Sequence, residues 1–105
     1  MNKNLCLHNK NIILTGANGI LGRKLSIAYL NEGANLALLD IKINNLSQIR
    51  KDLSLEKKSR FSVYQLDLTR PNQVKNTIKK VHKKFKKIDV LHNNAATKGR
   101  STKEF

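Results

Sequence analysis

The sequence predicts an α/β fold: a doubly wound parallel sheet of four strands in the order 3-2-1-4, with helices crossing over on its faces. Two observations carry that prediction. Four apolar runs alternate with stretches of helical periodicity, uninterrupted by any repeat, low-complexity tract or linker, and such alternation belongs to parallel strands joined by crossover helices. The second observation is residues 15–22, TGANGILG, a glycine-rich stretch set between the first apolar run and the first helical pattern. Crossovers between parallel strands are almost always right-handed, so a β-α-β-α-β-α-β chain has few arrangements, and the order 3-2-1-4 puts a switch point between strands 1 and 4.

The first strand is expected at about residues 11–15, around Ile12, Ile13 and Leu14. The first helix follows over about 20–32, with Leu21, Leu25 and Ala28 at helical spacing and Gly33 placed for the left-handed position at a helix end. Strand 2 spans about 34–40 and closes on Asp40. A second helix is expected within 44–57, with Leu46, Ile49 and Leu53 on one face and the polar residues 56–60 leading to strand 3 at about 61–66. Pro71 suits the first position of the third helix, where its missing N–H costs nothing, and Val74, Ile78, Val81 and Phe85 form that helix's apolar stripe. Strand 4 is expected at about 88–94.

The 105 residues make one domain at most. There are 21 Lys and Arg against 7 Asp and Glu, a formal net charge of +14 that would attract polyanions whatever the fold. Lys, Asn and Ile, all with A/T-rich codons, supply 16, 13 and 9 residues, so codon bias accounts for the basic balance without a selected partner. The basic residues also lack the interleaved aromatics of a stacking surface, and Lys75, Lys79, Lys80, Lys83, Lys84, Lys86 and Lys87 read as the solvated side of the third helix. No dedicated nucleic-acid partner is therefore expected. No apolar run approaches the ~20 residues of a membrane helix. The first ten residues lack the apolar stretch of a signal peptide, and the single cysteine, Cys6, cannot form an internal disulfide. A reducing, cytoplasmic setting without a membrane partner follows. His8, His82 and His92 fall on different elements with no ligand-spaced cysteine or carboxylate, so no metal site is expected, and packing or a backbone hydrogen bond is the role expected of His92.

Small and polar residues gather at the strand C-termini, where open α/β sheets bind ligands. Residues 16–22 follow strand 1, Asp40 ends strand 2, Asp67 ends strand 3 and residues 93–96, NNAA, end strand 4. A glycine-rich turn opening a helix suits a nucleotide pyrophosphate: bare glycines let backbone N–H groups come close, and the helix start adds unpaired donors and a positive dipole end. Asp40 stands at about the spacing of a ribose-binding carboxylate, roughly 20 residues beyond the turn. There it would accept from both ribose hydroxyls and repel a 2′-phosphate, favouring NAD over NADP, although Lys42 two residues on offsets part of that repulsion. The alternative is a carboxylate that only caps the turn into the next helix.

In order along the chain, TGANGILG, LLD at 38–40, QLDLT at 65–69 and LHNNAA at 91–96 resemble the amino-terminal half of a short-chain dehydrogenase/reductase, over nearly the whole sequence. The resemblance implies a Rossmann-type sheet, a nicotinamide dinucleotide cofactor and an enzyme that interconverts an alcohol and a carbonyl. It implies cofactor contacts from Gly16, Ala17, Asn18, Gly19, Ile20, Leu21 and Gly22, and from Asp40 with its neighbour Ile41. In the family the counterpart of Asp67 binds the adenine amino group, with the backbone of the next residue, here Leu68, and the segment matching Asn94, Ala95 and Ala96 packs against the adenosine ribose.

The sequence also departs from the family pattern. Ile20 stands where the commoner TGxxxGxG motif has its second glycine, and the Gly16, Gly19, Gly22 spacing resembles the extended branch, whereas NNAA resembles the branch with the commoner motif. Ala96 replaces a glycine, and Arg70 occupies a position where the family often has a capping aspartate, whose loss typically costs ~1 kcal/mol. Family enzymes use a tyrosine, a lysine four residues later and a serine. Only Tyr29 and Tyr64 occur here, and Gly33 and Leu68 lie four residues beyond them, so no catalytic residue is assigned.

The expectation is thus the cofactor-binding half of an NAD-dependent oxidoreductase, a fragment with negligible turnover of its own and an exposed apolar edge at residues 88–92. A small-molecule substrate and homo-oligomers are expected only of the complete protein. Two alternatives stay open: a standalone module that senses an adenine nucleotide without catalysis, and a basic nucleic-acid-binding domain.

Overall fold

Ile12, Ile13 and Leu14 sit at the centre of the sheet because strands covered on both faces can be apolar at every position. In the computed structural model, residues 5–95 are described. They form β1 (Asn11–Thr15), α1 (Ile20–Asn31), β2 (Asn35–Asp40), α2 (Ser47–Arg50), α3 (Leu55–Lys58), β3 (Phe61–Gln65), α4 (Pro71–Phe85) and β4 (Val90–His92). All strand pairs are parallel, in the order β3-β2-β1-β4. The doubly wound sheet predicted from the alternating pattern is the architecture observed.

Alternation along β1 and β2 divides the core in two. Ile12, Leu14, Leu36 and Leu38 face α1 and the segment after β2, packing with Leu30, Leu46, Ile49 and Phe61. Ile13, Ala37 and Leu39 face α4, where Val81 is fully buried and Val74, Ile78 and Phe85 complete the predicted stripe. Burying one such side chain stabilises the fold by about 1.5–3 kcal/mol, so this stripe, not the lysine-rich remainder of α4, holds the helix in place. At the end of α1, Gly33 has φ +94°, and a Cβ there would lie 2.9 Å from the His8 Cα. The expected glycine after the helix is required by both conformation and space.

Two details differ from the sequence expectation. In place of one helix within 44–57 there are two four-residue helices, α2 and α3, separated by residues 51–54. Leu46 and Ile49 are buried as expected, but the stripe's next positions are Glu56 and Lys57, and Ser54 starts a new helix by accepting the Lys57 N–H at 3.2 Å. Strand β4 covers Val90–His92 rather than 88–94. Its flanks are diverted: Ile88 packs with the α4 core, Asp89 exchanges two 2.9 Å bonds with the Asn11 backbone, and Asn93 turns towards Thr15. His92 does pack, edge-on against Tyr29 with ring centroids 5.7 Å apart, and its Nδ1 is hydrogen bonded to the Tyr29 hydroxyl.

Candidate functional site

The three glycines after β1 are glycines for different reasons. Gly16 has φ +66°, and a Cβ there would meet the Ala95 backbone at 2.9 Å. Gly22, inside α1, would bring a Cβ to 2.1 Å from the Gly16 carbonyl oxygen and 2.7 Å from the Ala17 Cα, so its bareness lets α1 rest on the turn. Gly19 is unlike both. Its φ of −74° suits any residue, and the nearest atom to a Cβ would be the Gly16 oxygen at 3.8 Å. Nothing among the described residues demands a glycine there, and the space left bare opens into a cleft. Gly19 is also the N-cap of α1, which has neither a side-chain cap nor an acidic residue in its first turn. The helix therefore presents unspent N–H donors and its positive end to that cleft.

The cleft encloses about 740 Å³ at the C-terminal ends of all four strands, within the usual range for small-molecule sites. Its wall brings together Gly16, Gly19, Ile20, Leu21, Gly22, Asp40, Ile41, Asp67, Leu68, Asn94 and Ala95 from the residues singled out in the sequence. Ala17 and Asn18 stand outside the wall: Ala17 is fully buried in the core, and the Asn18 side chain is turned to residues 44 and 45. Ala96 lies outside the described residues. Leu66, Thr69 and Asn93 also line the cleft. Leu66 and Thr69 lie inside the QLDLT stretch and Asn93 inside LHNNAA, so their place in those strand-end motifs was their sequence signal. Ile20, Leu21, Ile41 and Leu68 are exposed there, giving the polar strand ends an apolar rim.

Backbone N–H groups, joined at Asp67 by a threonine hydroxyl, hold the two carboxylates. Asp40 Oδ2 accepts the Asn18 N–H at 2.9 Å and Oδ1 accepts the Lys42 N–H at 3.3 Å, so it ties the glycine-rich turn to the loop after β2. Both oxygens retain lone pairs for a further donor. Asp67 Oδ1 accepts from the Thr69 hydroxyl at 2.6 Å and the Thr69 N–H at 2.9 Å. These bonds, with a smaller contribution from the Arg70 guanidinium, hold the Asp67 carboxyl below its ordinary pKa. Across the cleft, the Thr15 hydroxyl donates to Asn93 Oδ1 at 2.9 Å and accepts the Ala95 N–H at 3.0 Å, while Asn94 Nδ2 donates to the Gly16 carbonyl at 3.2 Å. The segment after β4 is thereby fastened to the glycine turn.

Among the described residues, neither tyrosine lines the cleft: Tyr29 packs on the α1 side of the sheet and Tyr64 on the α4 side. Among them too, no helix is long and apolar enough to cross a membrane, and no cluster of three His, Cys, Asp or Glu could hold a metal ion.

Known proteins resemble this chain in sequence and fold. The family model described as short chain dehydrogenase matches residues 10–105. A short chain dehydrogenase/reductase of Macrophomina phaseolina is 34% identical over 90 residues, which are 86% of this chain and 51% of that protein. An NAD-dependent glycerol dehydrogenase of Listeria innocua is 29% identical over 94 residues, 89% of this chain and 35% of the relative. The structure of an NAD+-bound xylitol dehydrogenase matches with a TM-score of 0.79 at 32% identity, covering 90% of this chain and 36% of that one. The chain thus spans between about a third and about half of the length of these relatives. With nearly its whole length matched and the same sheet beneath the match, the chain belongs to the short-chain dehydrogenase/reductase family of oxidoreductases.

Proposed function

We propose that this chain binds the adenosine and pyrophosphate portions of NAD and forms the cofactor-holding part of an enzyme that interconverts an alcohol and a carbonyl. One observation carries the reading: at Gly19 there is room that none of the described residues needs, at the uncapped start of α1 and within the cleft that Asp40 lines. A pyrophosphate fits that bare, positively polarised floor. Asp40 would accept from the adenosine ribose hydroxyls, its charge disfavouring the 2′-phosphate of NADP. Asp67 and the Leu68 backbone would take the adenine, and Asn94 with Ala95 would close over the ribose. The names of two relatives, one NAD-dependent and one NAD+-bound, support the choice of dinucleotide.

When bound, the nicotinamide supplies the hydride donor or acceptor. The residues described here bind and orient; neither described tyrosine faces the cleft, so the groups that move the proton of the alcohol belong elsewhere in the enzyme. The same reading carries a small-molecule substrate, a cytoplasmic setting and no dedicated nucleic-acid or membrane partner, with homo-oligomers formed by the complete protein. Calorimetric titration of the chain with NAD+ and NADP+ tests it. Binding should be tighter for NAD+, and Gly19→Val should weaken it at least tenfold by filling the floor of the cleft. Undiminished affinity in Gly19→Val, or no binding by the unaltered chain, would sink the assignment.

A further inference from the structure

Asn18 belongs to the glycine-rich turn, yet it does not line the cleft and is only 7% exposed. Both polar atoms of its side chain are directed at the loop after β2. Its Nδ2 donates to Asn44 Oδ1 at 3.1 Å, and its Oδ1 accepts the Asn45 N–H at 2.7 Å. Its backbone N–H is one of the two donors that hold the Asp40 carboxylate, at 2.9 Å. The other is the Lys42 N–H at 3.3 Å, from the same loop whose far end Asn18 grips. A third tether, from Gln65 Nε2 to the Ile41 carbonyl at 3.0 Å, comes from the neighbouring strand β3.

We propose that Asn18 is a positioning residue that fixes the Asp40 carboxylate by clamping residues 40–45 to the glycine turn, and thereby sets discrimination between a free ribose 2′-hydroxyl and a 2′-phosphate. This rests on the reading of the cleft as a dinucleotide site. A buried amide that spends both its donor and its acceptor on one loop makes that loop's position a property of the turn. Without the clamp the Asn45 N–H loses its acceptor, the loop is released, and the Lys42 N–H leaves Asp40. The carboxylate then keeps the Asn18 N–H as its one remaining donor and is free to turn about it, and Lys42 is able to approach a 2′-phosphate.

The test combines amide hydrogen exchange, which needs no ligand, with affinities of the chain for NAD+ and NADP+. In Asn18→Ala, exchange at Lys42 and Asn45 should quicken about tenfold while the amides of β2 stay protected, and the preference for NAD+ over NADP+ should fall about threefold to tenfold, the scale of one or two hydrogen bonds. Asp40→Ala should lower the preference similarly, and the double variant should lower it no further. Asn44→Ala, a change at an exposed residue that removes one of the two Asn18 side-chain bonds together with the exposed bond from Asn44 Nδ2 to Asn45 Oδ1, should act in the same direction and more weakly, and it keeps the question answerable if Asn18→Ala does not fold. Equal losses for both dinucleotides would indicate a merely structural role and overturn the proposal, as would unaltered Lys42 exchange. If the unaltered chain binds neither dinucleotide, the cofactor reading and the discrimination proposed here fail together, and faster Lys42 exchange would then uphold only the clamp on Asp40.

Discussion

Gly22→Ala should destabilise the protein although it places a better helix former in a helix interior. Propensity alone favours alanine there by about 1 kcal/mol. Against this, the new Cβ would sit 2.1 Å from the Gly16 carbonyl oxygen, 2.7 Å from the Ala17 Cα and 2.8 Å from the Ala17 carbonyl carbon, all backbone atoms that cannot rotate away. Comfortable separation is about 3.5 Å, so α1 would have to retreat by roughly 1 Å from the turn on which it rests. Overpacking of this kind costs about 1–3 kcal/mol, here at the upper end because no flexible side chain can give way. The net loss should be about 2 kcal/mol, a fall in Tm of roughly 8–16 °C for a domain of this size. Thermal and urea unfolding followed by circular dichroism measure it, with Gly19→Ala as the control, because a Cβ there has nothing nearer than 3.8 Å. If Gly22→Ala melts at or above the temperature of Gly19→Ala, the steric account of the turn is wrong.

Other outcomes follow from the same structure. Lys86 ends α4 with φ +70°, a left-handed conformation that a side chain resists, so Lys86→Gly should raise stability by about 0.5–1 kcal/mol in urea titration. Arg60, with only 16% of its side chain exposed, donates to the Ala34 carbonyl at 2.5 Å and the Leu30 carbonyl at 2.9 Å, and Arg60→Ala should lower stability by about 1.5–3 kcal/mol in the same assay. Asp67, Asp89 and Glu56 all have lowered carboxyl pKa values, from the Thr69 hydroxyl, the Asn11 N–H and the Arg60 side chain respectively. Each therefore contributes stability that is complete above its ordinary unfolded value of about 4 and is lost as pH falls through the lowered folded value. Unfolding midpoints should hold steady from pH 7 to 5 and decline below 4, with a shallower decline in Asp89→Asn; an unchanged slope in that variant would remove Asp89 from the account.

The parts of the fold that were legible in the sequence are those whose neighbours are dictated locally. Strands β1 and β2 announce themselves because burial on both faces leaves no polar position between their ends, and α4 does so through Pro71 and an unbroken stripe. The break between α2 and α3 was hidden because Leu46, Ile49 and Leu53 keep helical period from α2 into it, while the new start is marked only by one serine hydroxyl at residue 54. The shortness of β4 depends on Asn11 and Asp89 meeting across the sheet, which no local pattern encodes. Most of the cleft wall was readable because a parallel sheet delivers every strand's C-terminus to one edge, so residues at those ends must converge. Asn18 was read as part of the glycine turn, but the direction of its side chain depends on a loop 26 and 27 residues away. The left-handed turn at Lys86 carried no glycine to mark it.

The hydroxyl of Thr15 has a consequence for the order in which the cleft comes into being. Through it the segment after β4 joins the end of β1 across 78 and 80 residues of chain, among the longest loops the fold has to close. A chain leaving the ribosome from its amino terminus can already pair β1 with β2 and set the glycine turn against Asp40 while residues 93–95 are still unmade. The last wall waits for a closure of high entropic cost, so assembly of the cleft should coincide with the slow, late step of folding and not with collapse of the first β-α-β unit.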